Sequence, residues 1–554
     1  MKIYENIDVI ELLNDSNFNE AWEELMSNCP WSTVFQSPAF IRTWHNNYRD
    51  QSNLIVISDY TVDGTLKGLL FLTKTSENIY SHPGLSQAEY QSWISTPANN
   101  DAFISNSLKL FEKTFPNASI NLKYVPSQTP LNFIKDDGYF QKRIFSKTYQ
   151  QPILESNEEK IAQELRKKNK KEKINRLKRK GSLVFEKIES HEEFKSIIDD
   201  LIIQNDFRKG AMYGKLTFMN DPLRKHFLMD CFKLGILHVT ILKLNEEIIA
   251  SNVGFKGSNV VHLQGINTHS PNYAKFSPGI LHFLMLGKSL CEENIGIFDL
   301  TPGGVDGYKS MLASKFLITH EIVFCSRWEK KKLQLKEYAT NHIKQLLKRN
   351  NISDQKRNAL LKGFVLKKKN EKIRIKPNQK TLDEITIDLI DQDANPVPKD
   401  SFKLNIAELP LEIPCKPIRK NRLEDFLTVT NLFDKHVSQK FLLDAMKRFE
   451  LNHDSYTLIE NGELKAILWF IPKNSKTGEK HQGKDIIIGS NTLAFSYLSH
   501  ETKLSIIDFI SCIANEIIQD SQIDLLELQI KSNDVFLKKL WKELQSYESH
   551  FFNY

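Results

Sequence analysis

Residues 262–309 read HLQGINTHSPNYAKFSPGILHFLMLGKSLCEENIGIFDLTPGGVDGYK. The pattern predicts an apolar strand that ends near Gly265–Ile266, followed by a polar loop without periodicity. Ser277-Pro278-Gly279 then opens an apolar helix. A second strand, Ile297–Leu300, contains Asp299, and a turn through Gly303, Gly304 and Gly307 leads to Tyr308 and Lys309. A strand, a loop and a helix N-terminus make an anion site, because first-turn N–H groups lack intrahelical acceptors. An acid, a phenol and an amine cluster just past the next strand, where an α/β sheet usually carries its chemistry.

The same order of elements recurs along the chain. In the first copy, strands Asn53–Asp59 and Leu66–Thr73 flank Asp63-Gly64, a hairpin-type turn. A short strand near Gln91–Ile94, a helix over Asp101–Phe115 and a strand at Ser119–Val125 follow. The second copy has helices around His191–Arg208 and Asp221–Leu234, then a hairpin, Leu237–Leu244 with Ile248–Phe255. Strand Val260–Gly265, a helix over 279–292 and a strand over 296–300 complete it. The third copy has helices near Leu423–Phe433 and Gln439–Phe449, and strands Tyr456–Glu460 and Leu464–Pro472 paired across Asn461-Gly462. Strand Thr492–Leu498, helix Glu501–Ile518, strand Ile523–Ile530 and helix Asn533–Leu544 close it.

This order predicts an α/β (α+β) architecture of layered mixed sheets, and the repetition suggests duplication. The expected organisation is a first module at 1–155, a basic helical arm at 156–182 and a second module at 183–330. A basic helical connector at 331–384 and a third module at 385–554 follow.

At 554 residues the chain is too long for one core. No apolar run approaches the length of a membrane span. The N-terminal stretch is acidic within its apolar part and lacks a small-residue cleavage site, which argues against a secretion signal. The six cysteines are scattered without a C-x-x-C pair. Structural zinc and a disulfide framework are therefore not expected, and a reducing cytoplasm fits. The net charge of +7 is uneven: residues 166–180 carry ten basic side chains and one acid. Such a run is either a solvated helical face or a surface for an anionic partner: a phosphorylated co-substrate, an anionic membrane or tRNA. No aromatic residue interleaves it, which argues against stacking on single-stranded nucleic acid. DNA is not an expected partner.

Several segments together resemble a known family. They are Trp22 with Ser32–Trp44, the arm end Arg176–Gly181, Arg208 after a helix, Tyr273–Leu284 and Phe298–Lys309. The module order resembles the GNAT acyltransferase fold. Residues 1–330 resemble the tandem-GNAT, CelD-like (cellulose-biosynthesis-type) acetyltransferases, which look related to the Fem-type peptidyltransferases. The third module shares the layout without those motifs and looks like a degenerate GNAT-like unit, whose loop Ser496–Ser505 lacks an equivalent of Gly279. The resemblance implies acetyl-CoA or another acyl-CoA as co-substrate, no metal, and acyl transfer to an amine or hydroxyl.

Onto this sequence the resemblance carries a donor loop. The usual Q/R-x-x-G-x-G/A pattern is met only at Gly279, with Ala274, Phe276 and Ser277 at the other positions. Ser277, Gly279 and Ile280 are the candidate donor-binding residues; the same residues also make an ordinary helix start. Asp299 is a candidate base, its pKa raised by burial, or a cap for the following turn. Tyr308 is a candidate general acid or a packing residue, and Lys309 an oxyanion or phosphate donor or a surface lysine. Arg208, Gly303, Trp44 and Tyr90 are candidate acceptor-binding residues, against readings as an ion pair, a turn glycine that lets Lys309 reach back, and aromatic core. Gly84 and Trp93 could line the same groove. His262 and His269 read as packing or surface histidines.

Three functions follow. The first is a cytoplasmic acyl-CoA-dependent acyltransferase, with the inner membrane face as a further location, acting on a small-molecule, lipid-linked or sugar-linked acceptor of bacterial envelope or exopolysaccharide metabolism. The second is a Fem-like transferase whose basic arm grips aminoacyl-tRNA. The third is a scaffold that has lost donor binding.

Overall fold

Hairpins supply the framework. Leu54–Tyr60 pairs antiparallel with Leu66–Ser76 around Gly64, whose φ of 88 suits glycine. Leu237–Leu244 pairs with Glu247–Lys256, and Asp454–Glu460 with Glu463–Ile471. Their apolar, β-branched residues favour extended backbone and bury both faces of most of these strands.

The computed structural model describes residues 1–305, 307–349, 400–405, 418–432, 435–451, 453–471, 491–498 and 525–530. The chain forms two units: Met1–Asp199 with Asp221–His269 and Phe276–Ile375, and Asp200–Asn220 with Ser270–Lys275 and Lys376–Tyr554. The helices expected at Glu501–Ile518 and Asn533–Leu544, the third module's loop after Leu498, and the connector beyond Arg349 lie outside the described residues.

The first unit holds one mixed sheet. Its strands run in the order Lys2–Glu5, Leu54–Tyr60, Leu66–Ser76, Ile79–Ser81, Ser119–Val125, Lys315–Phe324, Ile144–Glu155, Ile297–Asp299, Val260–His269, Glu247–Lys256, Leu237–Leu244 and Leu183–Ile188. The fourth neighbouring pair from each edge of the sheet is parallel: Ile79–Ser81 with Ser119–Val125, and Val260–His269 with Ile297–Asp299. The α/β fold class with mixed sheets is the observed one.

Two strands lie outside the expected order, and they make the sheet continuous. Ile144–Glu155 pairs with Ile297–Asp299, and Lys315–Phe324 pairs back with Ser119–Val125. The two also pair with each other, Lys315–Phe324 over its whole length against Ile144–Ile153. Each module thus pairs with the C-terminal strand of the other. Their sequences, IFSKTYQQPILE and KFLITHEIVF, hold short apolar runs of two or three residues broken by polar ones, with neither a clean alternation nor a long apolar run. Ladder bonds on both edges, which no local pattern announces, hold them.

Two other elements differ from expectation. The strand near Gln91–Ile94 is only Ile94–Ser95, attached to Leu66–Ser76; Ile79–Ser81 takes the place beside Ser119–Val125. Strand Val260–His269 continues past Gly265 through a bulge, where Gly254 faces Gly265 and Phe255 faces His262. Gly265 has φ 134, and a Cβ there would stand 2.0 Å from the Val253 carbonyl oxygen. Only glycine permits that approach.

The second unit has a sheet ordered Asp400–Asn405, Leu525–Ile530, Asn491–Leu498, Glu463–Ile471, Asp454–Glu460 and Ile418–Lys420. Again one neighbouring pair, Asn491–Leu498 with Leu525–Ile530, is parallel. Helix His191–Tyr213 runs longer than expected, and its part from Asp200 is counted in this unit. Phe207 and Ala211 are buried there among Phe426, Leu442, Phe449 and Trp469. Phe207→Ala should therefore destabilise the second unit by about 3–5 kcal/mol, read as an earlier transition in denaturant unfolding.

Candidate functional site

Asp299 ends the parallel ladder of the second module. Its register partner is His262, beyond which Val260–His269 runs on alone while Ile297–Asp299 stops. The two strands part at this pair. The Asp299 side chain is fully buried. Tyr90 Oη donates to its Oδ2 at 2.6 Å, His262 Nδ1 lies 2.7 Å from the same oxygen, and the Thr301 N–H donates to Oδ1 at 2.9 Å. The Tyr90 and His262 rings are 5.3 Å apart, and Phe35 lies 5.2 Å from His262.

Burial is the largest single influence on the Asp299 carboxyl and pushes its pKa up. The bonds and charge from His262, the Tyr90 hydroxyl and the Thr301 N–H together outweigh it, so the carboxyl sits below its ordinary value. This reverses the expectation from burial alone: Asp299 is an ionised acceptor rather than a weakened acid. The Tyr90 hydroxyl is pushed well above its usual range by burial and then by the Asp299 charge, so it stays a donor. In the neutral imidazole, Asp299 fixes the proton on Nδ1 of His262 and leaves the lone pair on Nε2. That Nε2 is buried and has no hydrogen-bond partner. A buried ring nitrogen without a partner is costly to keep, and here it stands beside an ionised, fully buried carboxylate.

Lys309 is half-buried, and its Nζ donates to Thr301 O at 3.0 Å, Thr301 Oγ1 at 3.1 Å and Gly303 O at 3.1 Å. Burial lowers its pKa, against the pull of Glu89 and Asp299. The glycines do let it reach back: Gly303 has φ 79, and a Cβ there would lie 3.4 Å from Tyr124 Oη. Thr301 (φ 64) and Tyr124 (φ 53) are left-handed without being glycine, each storing about 1–3 kcal/mol of backbone strain beside the same turn. The Tyr308 ring stacks on Phe283 at 5.9 Å and packs on the cluster containing Phe298 and Leu312.

The end of the donor loop, from Phe276 on, lies in the same unit. Ser277 is left-handed (φ 53) and precedes helix Pro278–Glu292, but its side chain makes no cap bond. Its Oγ accepts from Lys173 Nζ at 2.8 Å. Lys173 belongs to helix Lys168–Lys178 of the basic arm, which is anchored by the buried Leu177. The Ile280 and Leu281 N–H groups both donate to the Ser277 carbonyl, and Pro278 has none, so Gly279 is the first-turn donor not spent on Ser277. A Cβ on Gly279 would stand 3.4 Å from His269 Nδ1, so the glycine keeps that side open. Ile280 packs half-buried on the core behind the loop.

The remaining candidates fall elsewhere. Trp44 is core, stacked on Tyr48 at 5.4 Å, and Tyr48 Oη donates to Asp221 at 2.9 Å. Trp93 is buried, and Gly84 packs under Phe40. Arg208 belongs to the second unit, next to Phe207 in that unit's core. His262 and Lys173 were not singled out as site residues. Each is committed by a partner distant in sequence, which spacing cannot reveal. Among the described residues no three His, Cys, Asp or Glu side chains group to hold a metal.

Residues 165–310 match the model of the acetyltransferase (GNAT) domain family. The match takes in most of the basic arm, the donor loop, His262, Asp299 and Lys309; Tyr90 lies before it. No curated protein matches the chain. Solved structures similar to it include FemX, 10% identical over 60% of this chain and 99% of that one, with a TM-score of 0.40. L-PGS from Bacillus licheniformis is 10% identical over 55% and 91%, with a TM-score of 0.37. A tandem GNAT protein from the clavulanic acid biosynthesis pathway is 11% identical over 58% and 97%, with a TM-score of 0.33. At these scores none of the three bears on the activity.

Because the Asp299 pKa is depressed, its stabilising contribution is complete above the ordinary carboxyl value of 3.8 and is lost as pH falls toward the folded value. Asp299→Asn should lower stability near neutral pH by about 3–5 kcal/mol, through the stranded His262 and Tyr90 donors, and flatten that acid limb in pH-dependent denaturation.

Proposed function

We propose that this protein is an acyl-CoA-dependent N- or O-acyltransferase acting on a cell-envelope, lipid-linked or exopolysaccharide-related acceptor. The observation that carries the reading is the paired site inside the GNAT-matching stretch. There a helix N-terminus and a lysine converge on Ser277, and a buried His–Asp pair stands where strands Val260–His269 and Ile297–Asp299 part. Ser277 and Gly279 would receive the donor's phosphates, with Lys173 supplying a cation beside them; Ile280, whose N–H is spent on the Ser277 carbonyl, backs the loop from the core.

His262 is the proton acceptor in this reading, and Asp299, held by Tyr90, orients it. The acceptor's nitrogen or oxygen attacks the thioester carbonyl, a C–N or C–O bond forms, and the C–S bond breaks. The acceptor's proton passes to His262 Nε2 and from there to the departing sulfur. Lys309, Gly303 and Thr301 hold the turn that positions Asp299, and Tyr308 wedges the short helix beneath it.

A second reading has one observation in its favour. Arg166, Lys168, Lys171, Lys178, Arg179 and Lys180 form no ion pair with an acid among the described residues, which leaves a cationic arm suited to tRNA in a Fem-like aminoacyl transfer. Neutralising those six side chains should abolish a tRNA-dependent activity and flatten its salt dependence, while leaving an acyl-CoA-dependent one nearly unchanged.

Thermal unfolding tests the leading reading directly. Acetyl-CoA, a longer acyl-CoA or free CoA at about 100 times its dissociation constant should add roughly 2.7 kcal/mol of stability, and Gly279→Asp or Lys173→Glu should remove the gain. His262→Gln should keep donor binding and slow transfer by about 10²–10⁴-fold. Absence of any shift with every CoA species would overturn the reading in favour of aminoacyl-tRNA or a scaffold role.

A further inference from the structure

Helix Arg327–Arg349 faces the wrong way for a packing element. Trp328, Leu335 and Tyr338 are 67%, 69% and 72% exposed. Separations of seven and three residues put all three on one side of the helix. The opposite side is tied down by polar contacts: Glu337 pairs with Lys147 at 3.0 Å, and Lys330 Nζ donates to the Gln141 carbonyl. The Glu329 N–H donates to Ser326 Oγ at 3.2 Å and caps the helix start. The helix is thus fixed to the first unit by its charged side and presents its apolar side to solvent.

That apolar side is framed by cations. The helix carries eight Lys and Arg residues and two acids, and one of the acids, Glu337, is spent on Lys147. Lys331, Lys332 and Lys336 are exposed and have no acidic partner among the described residues. Lys332 Nζ lies 5.3 Å from the centroid of the Trp328 ring, so a cation and an aromatic occupy the same surface point. Tyr338 stacks on His342 at 6.2 Å. No described helix is long and apolar enough to cross a bilayer.

We propose that this helix lies in the interface of a membrane containing anionic lipid. Trp328, Leu335 and Tyr338 enter the boundary between headgroups and acyl chains, and Lys331, Lys332 and Lys336 stand among the headgroup phosphates. Tryptophan and tyrosine suit that depth because each has an apolar body and a polar tip, while lysine stems reach back to the charged layer. Each lysine near an anionic surface strengthens partition by about fivefold, and the gain falls with salt. The inference does not depend on the donor or the reaction, and it supplies a means of bringing the protein to a lipid-linked acceptor.

The test uses the full chain with vesicles of phosphatidylcholine alone or mixed with phosphatidylglycerol. Sedimentation should show binding to the mixed vesicles only, weakening as salt rises. Trp328→Ala with Leu335→Gln should lower the partition coefficient roughly tenfold or more without changing the unfolding temperature, since both side chains are exposed. In a Trp541→Phe background, phosphatidylcholine brominated along its acyl chains, mixed with phosphatidylglycerol, should quench part of the tryptophan fluorescence, and that part should vanish when Trp328→Phe is added; Trp22, Trp31, Trp44, Trp93 and Trp469 are buried. Failure to bind the anionic vesicles would overturn the proposal. So would undiminished binding of the double variant, or a concentration-dependent dimer in wild type that the double variant loses, which would assign the face to a second copy.

Discussion

A carboxylate without exposed surface has to be supplied with donors, or it costs several kcal/mol of uncompensated desolvation. Asp299 is in that position, and the first unit is arranged around meeting its demand. The donors come from a tyrosine after the first hairpin, a histidine on the neighbouring strand and the N–H of a strained turn residue. Tyr90 and Asp299 are 209 residues apart. They meet in a sheet made continuous by exchange of Ile144–Glu155 and Lys315–Phe324 between the modules. Strand exchange and buried charge therefore support each other.

The turn after Asp299 extends the same network. Thr301 is forced left-handed, and its N–H is thereby aimed at Oδ1 while its carbonyl and hydroxyl both accept from Lys309. With the Gly303 carbonyl, Lys309 has three acceptors. In a low-dielectric setting such bonds reinforce one another, and the loss of one leaves others stranded. The single open valence in this otherwise satisfied group is Nε2 of His262. The proposed role of His262 as proton acceptor rests on this arrangement, which fixes the tautomer and the ring and leaves one lone pair.

Much of this was legible in the residues. The hairpins, the helix that begins after Ser277, the parallel strand with Asp299 and the reach of Lys309 across a glycine turn all rest on local chemistry. Turn glycines, apolar runs and a proline in the first helical turn act over a few residues. The same locality explains the misreadings. Burial alone would raise the Asp299 pKa, and only its donors, one from another module, reverse the sign. Ser277 looks like a cap until Lys173, 104 residues earlier, takes its hydroxyl.

The amino-acid sequence by itself determined the hairpins, most of the helices and the glycine-dependent turns, because those follow from backbone preferences and the period of apolar residues. It also determined the uneven charge that leaves helix Lys168–Lys178 and helix Arg327–Arg349 cationic. The tertiary structure alone decided which polar residues share a site. Strand exchange, the pairing of His262 with Asp299 and the seating of Lys173 on Ser277 are contacts between distant segments. Their free energy exists only once the sheet has closed and water has been excluded from between them.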